Sequence, residues 1–208
     1  MAVVSNGTTI IDAGALGSGV ATGDMTLIKT LTASSSATLS FVDGAASVVL
    51  DDTYDSYVFK FISIHPGTNA THLSFQASTD TGSNYGVAAT TTLFRSFHDE
   101  ADSATGVVYR AEFDLAQSTG FIPLADGTST GADNDQTVSG YIQLFNPSST
   151  TFVKHFISNF NEAHQVDYSI HGFAAGYFNT TSAVDAIQFK MNSGNIDAGL
   201  IKLYGIGG

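Results

Sequence analysis

The chain carries six histidines, 19 Asp and Glu and seven Lys and Arg. What chemistry they could do depends on whether any stand at working distances. Zinc ligation on a helix would need His-x-x-x-His or His-Glu-x-x-His, and neither occurs; His65, His72, His98, His155, His164 and His171 fall in different runs and turns. Calcium suits the composition better, because it takes carboxylate and carbonyl oxygens from loops. "HDEAD" (98–102) and "ADNDQ" (132–136) could each supply two or three oxygens, but neither follows the order of an EF-hand, and loop solvation is the simpler reading. A glycosidase pair would have to draw on Glu100, Glu112, Glu162 or the loop aspartates, whose Gly- and Ser-rich surroundings favour full solvation.

Nucleophilic chemistry fares no better. The nearest match to a serine elbow, Gly17-Ser18-Gly19, lacks the surrounding pattern. "GALGSGVATG" (14–23) has neither the Gly-Lys-Ser/Thr ending nor the following helix of a phosphate loop. With no cysteine, thiolate chemistry and disulfides are absent. Lys154 and His155 adjoin in "YIQLFNPSSTTFVKHF" (141–156), but successive strand residues point to opposite faces, so the two cannot act together. Tyr54, Tyr57, Tyr109 and Tyr168 could stack on sugars, although strand tyrosines more often serve as core or interface residues. The reading is therefore non-enzymatic: no catalytic residue, no cofactor-binding residue, no metal ligand and no cofactor is assigned.

Composition points to assembly. Hydrophobic residues make up 43% of the chain, with 15 Phe, 8 Tyr and no Trp, enough for a packed core. Charged residues make up only 12%, about half the usual share. A surface clothed in Ser, Thr, Asn and Gly lacks the mixed charge that keeps small monomers apart, so a partner is expected to cover much of it. The net charge of −12 argues against nucleic acid, whose binding needs clustered cations. Lys29, Lys60, Arg95, Arg110, Lys154, Lys190 and Lys202 all fall in apolar runs and are read as solvated strand positions. The acids gather between runs, at Asp51, Asp52 and Asp55, at Asp99, Glu100 and Asp102, and at Asp126, Asp133 and Asp135. No membrane association is expected, because no stretch approaches the roughly 20 apolar residues of a span and the start lacks a signal-like region. Asn6-Gly7-Thr8, Asn69-Ala70-Thr71 and Asn179-Thr180-Thr181 match the glycosylation sequon and are read as turns.

The elements that would position these residues are strands. Residues 1–25 are short apolar pieces broken by glycines and read as an extended N-terminal arm lying on a neighbour. Residues 26–208 are read as one all-β domain, an antiparallel, jelly-roll-like β-sandwich. Strands are predicted at 26–32, 37–42, 57–65, 71–78, 87–97, 107–113, 138–145, 152–160, 168–177, 186–191 and 200–204. In "YVFKFISIH" (57–65), Tyr57, Phe59 and Phe61 are assigned one face and Val58, Lys60, Ile62 and Ile64 the other. The best helical stretch, "HDEADSA", offers at most a turn or two. The 141–156 stretch reads as a hairpin turning at Asn146-Pro147-Ser148-Ser149, with 141–145 paired to 152–160. It is expected to bury Phe145, Phe152 and Phe156 or Phe160, so Phe152→Ala should unfold the domain.

Several phrases together carry a resemblance: "LIKTLTASSSATLSF", "YVFKFISIHPGTN", "YIQLFNPSSTTFVKHF", "GYFNTTSAVDAIQFKMNSGNIDAG" and "IKLYGI". Over residues 26–206 the chain resembles small virion-associated proteins of tailed bacteriophages of aquatic and marine bacteria, a family without an assigned activity. "SNGTTIIDAGAL" is similar to the starts of phage tail and fibre proteins. The resemblance brings no catalytic motif, so no residue inherits a role. It implies assembly in the host cytoplasm, a place on the virion exterior and a homo-oligomer, commonly a trimer. The implied role is a capsid decoration or cement protein stabilising the coat, with the major capsid protein or other virion proteins as partners. The alternative is a tail or head fibre module binding host surface glycans.

Overall fold

The computed structural model describes residues 3–5, 8–12, 15–16, 25–125 and 129–207. Gly17-Ser18-Gly19 and Asp126 lie outside them. The described strands are β1 (Val3–Ser5), β2 (Thr8–Asp12), β3 (Ala15–Leu16), β4 (Met25–Ser36), β5 (Leu39–Val42), β6 (Ser56–Pro66), β7 (Leu73–Ser78), β8 (Ala89–Asp99), β9 (Thr105–Tyr109), β10 (Ile122–Pro123), β11 (Val138–Phe145), β12 (Lys154–Ala163), β13 (Tyr168–Phe178), β14 (Ala186–Met191) and β15 (Ile196–Ile206). All pairings are antiparallel. One sheet has eight strands in the order β4-β15-β6-β11-β12-β13-β8-β9, and the sheet packed on it has four in the order β10-β7-β14-β5. The all-β sandwich expected from the turn-punctuated sequence is thus observed. Its division into eight and four strands is less even than that of an eight-stranded jelly roll. In the N-terminal region, β1, β2 and β3 pair with one another as a small sheet.

Aromatic rings fill the space between the two large sheets. Phe189 of β14 meets Phe61 at 4.9 Å, Phe59 at 5.3 Å and Phe41 at 6.2 Å, in edge-to-face geometry. Phe75 of β7 meets Phe156 at 5.0 Å. On β13 the inward side is small instead: a Cβ on Gly172 would lie 2.0 Å from the carbonyl oxygen of Ala125. Close backbone approach there leaves no room for a side chain; the inward rings of β13 are confined to its end, where Phe178 packs on Phe75 and Phe156, while Phe173 lies on the other face.

Four local expectations are corrected. Ile64 does not share a face with Lys60, because Ser63 adopts φ +49° at a bulge, after which the alternation reverses and Ile64 is buried. Phe152 is 68% exposed rather than buried, and Phe145 is only half-buried. The Ser149 hydroxyl accepts hydrogen bonds from the N–H groups of Thr151 and Phe152, so this segment closes a local turn and β12 starts only at Lys154. Residues 111–113, read as the end of a strand, form a single 3-10 turn beyond β9. Phe156 and Phe160 are buried, as the hairpin reading requires.

Candidate functional site

Register, rather than any one segment, assembles the most distinctive surface. Successive pairings Thr30–Lys202, Lys202–Lys60, Lys60–Tyr141, Tyr141–Asn159, Asn159–Phe173, Phe173–Phe94 and Phe94–Tyr109 link all eight strands of the larger sheet. Directly paired residues share a face, and the odd positions of β6 beside Lys60 (Tyr57, Phe59 and Phe61) point into the core. The linked residues therefore form one straight row on the sheet's outer face. Tyr109 is 58% exposed, Phe94 44% and Tyr141 39%.

The row is chemically graded. At one end Lys202 and Lys60 stand directly opposite each other, with the Lys60 ammonium 5.5 Å from the ring of Tyr204. At the other, Phe94 and Phe173 stack nearly parallel with centroids 4.9 Å apart. Between them Asn159 is fixed by a hydrogen bond from His171 Nε2 to its Oδ1 at 2.7 Å, and the His171 ring packs 4.3 Å from Phe173. This bond leaves the Asn159 amide N–H groups as donors. Tyr141 and Ile157 on one side and Phe94 and Phe173 on the other bound a groove of about 290 Å³ over Asn159. At the far edge, Thr92 Oγ1 donates to the Tyr109 hydroxyl at 3.3 Å, and that hydroxyl donates to Asp114.

Charge is partitioned between sheet and loops. The eight strands hold five of the seven cations but only three carboxylates: Asp99 and Glu162 are buried, and Asp197 lies at the start of β15. Arg110, expected in a strand, sits just past β9 and pairs with Glu112 at 3.1 Å. Elsewhere the acids serve turns. Asp80 accepts from the Ser78 hydroxyl, the Asn84 backbone N–H and the Asn84 side-chain amide, and these bonds pull its pKa down to about 2. Asp99 accepts from Ser103 and Ala104, which lowers its pKa as well.

The residues weighed for chemistry are dispersed. Lys154 and His155 lie on opposite faces, as the alternation requires, but Lys154 is not a solvated lysine: it is fully buried, with Nζ donating to Phe152 O at 2.9 Å and Thr180 O at 3.2 Å. Burial lowers its pKa. Glu162 is buried and accepts from Thr130 Oγ1 at 2.7 Å, far in role from the exposed Glu112. Tyr57 is core, whereas Tyr109 joins the outer row. Among the described residues no group of three or more His, Asp or Glu converges as a metal cluster would, and no helix is long and apolar enough to cross a membrane. The row itself escaped local reading because each strand contributes a single member. No family model matches the chain, and neither a curated protein nor a solved structure matches it.

Proposed function

We infer that this chain is a non-enzymatic structural component of a tailed-phage virion, held on the particle exterior, where it decorates the capsid and cements the coat. The observation that carries this reading is the N-terminal unit. Its strands have three, five and two residues, they pair with one another, and Val3 and Val4 are exposed. Two of its three strands are shorter than the usual length of about five to six residues, so it has little face to bury by itself and gains from cover. A neighbouring virion protein, the coat or another copy in a trimer, would supply it, with the sandwich projecting outward. The sequence resemblance to virion-associated proteins supports the same role. Copy number per purified particle, by quantitative mass spectrometry against the major capsid protein, tests it. A ratio near that of the coat fits cement; absence from the particle would refute a virion role.

A second reading, a fibre module that holds a host surface glycan, is favoured by the aromatic, amide and lysine row. A few dozen copies or fewer per particle would select it.

A further inference from the structure

We propose that the outer-face row is a binding site for a linear anionic polysaccharide. The proposal rests on this surface alone, whichever virion position the chain occupies, and it names the ligand class that the second reading leaves open.

The row's shape comes first. From Lys202 to Tyr109 it crosses seven strands, and six steps at the interstrand spacing of about 4.8 Å give roughly 29 Å. That is a site for an extended chain lying across the strands, not for a compact small molecule. Its middle is a groove between ring walls with an amide at its floor, which offers apolar surfaces to the C–H faces of sugar rings and Asn159 donors to their oxygens.

Charge decides the polymer's sign. Like charges directly opposite on neighbouring strands destabilise a sheet, and among the described residues no carboxylate lies within ion-pair distance of Lys60 or Lys202. A protein with seven cations and a net charge of −12 has placed two of them together with no counter-ion among the described residues. An acidic sugar residue seated over the pair supplies it.

Other extended anions fit less well. A nucleic acid carries a phosphate at every step and needs cations along its whole path, whereas here they stand at one end. A peptide crossing the strands would set its backbone N–H and C=O groups against phenyl rings, where unpaired polar groups are costly. A polysaccharide keeps its outward hydroxyls in water.

The test is affinity electrophoresis of the full-length chain in gels containing polygalacturonate, heparin, neutral dextran or no polymer, with a fluorescent oligo-dT strand as a separate probe. Retardation is expected in an acidic polysaccharide, weakened by salt; polygalacturonate against heparin separates carboxylate from sulfate recognition. The K60Q/K202Q double variant should lose about tenfold in affinity and Tyr141→Ala several-fold, while Lys190→Gln, on the other sheet, should bind as the parent does. Thermal unfolding checks the fold, and K60Q/K202Q should be at least as stable as the parent. No retardation of the parent in either acidic polymer, equal retardation of parent and K60Q/K202Q, or oligo-dT binding as tight as polysaccharide binding would overturn the proposal. None of these results would alter particle copy number, so the virion reading stands or falls separately.

Discussion

On β12, Phe156 and Phe160 are sealed in the core while Ile157 and Asn159, each one residue from a buried ring, face outward. On β13 the arrangement is inverted: Gly172 and Ala174 face inward, and His171 and Phe173 face out. The two faces of one sheet thus use the same residue types differently. Inside, rings meet edge-to-face across two sheets, Phe189 against Phe61 and Phe75 against Phe156. Outside, Phe94 and Phe173 stack on each other and Phe173 also packs on His171, all within one sheet, and both phenyl rings remain partly in water. Hydrophobic burial should therefore hold the fold through the inner rings, whereas the outer rings contribute little beyond their mutual stacking.

Breaking the inner face should have the largest effect. Phe160→Ala, which empties the space against Phe61 at 5.1 Å, is expected to cost about 3–5 kcal/mol in urea denaturation. Gly172→Ala comes next. Its Cβ would meet the Ala125 backbone, and the forced shift should cost about 1–3 kcal/mol, read as a fall in Tm.

Lys154 sharpens the contrast because it is a cation on the inner face. Its pKa is lowered by burial, so between that value and the ordinary lysine value of about 10.4 the unfolded chain binds more protons than the folded one. Stability should rise with pH across that window. Lys154→Met should abolish the rise and match or exceed the parent at pH 7 by about 1 kcal/mol, measured as urea midpoints from pH 7 to 10.5. Phe152→Ala, at an exposed turn, should change stability by less than about 0.5 kcal/mol.

Much of the fold is legible in local sequence. Gly, Asn, Asp and Ser clusters punctuate alternating runs, and 138–145 and 186–191 coincide with β11 and β14. What local pattern misses is long-range. Ile122 and Pro123 are too short a run to show as a strand, and only their pairing with β7 makes them one. The Ser63 bulge depends on its partners: the Ser63 N–H is taken by Ser139 Oγ, and Gly199 opposite has no room for a side chain. Lys154 reads as solvated because nothing nearby announces the Thr180 carbonyl that receives it. The outer row is hidden for the same reason: alternation defines two faces of a strand, but which face points inward, and which residues stand side by side across eight strands, is fixed by register alone.

The most direct test of the division between faces is the urea stability of Phe94→Ala in the full-length chain. Loss of one half-exposed ring and its stacking on Phe173 should cost about 1 kcal/mol or less. A loss of about 3 kcal/mol or more, comparable to that expected for Phe160→Ala, would contradict the division and make the outer row part of the scaffold.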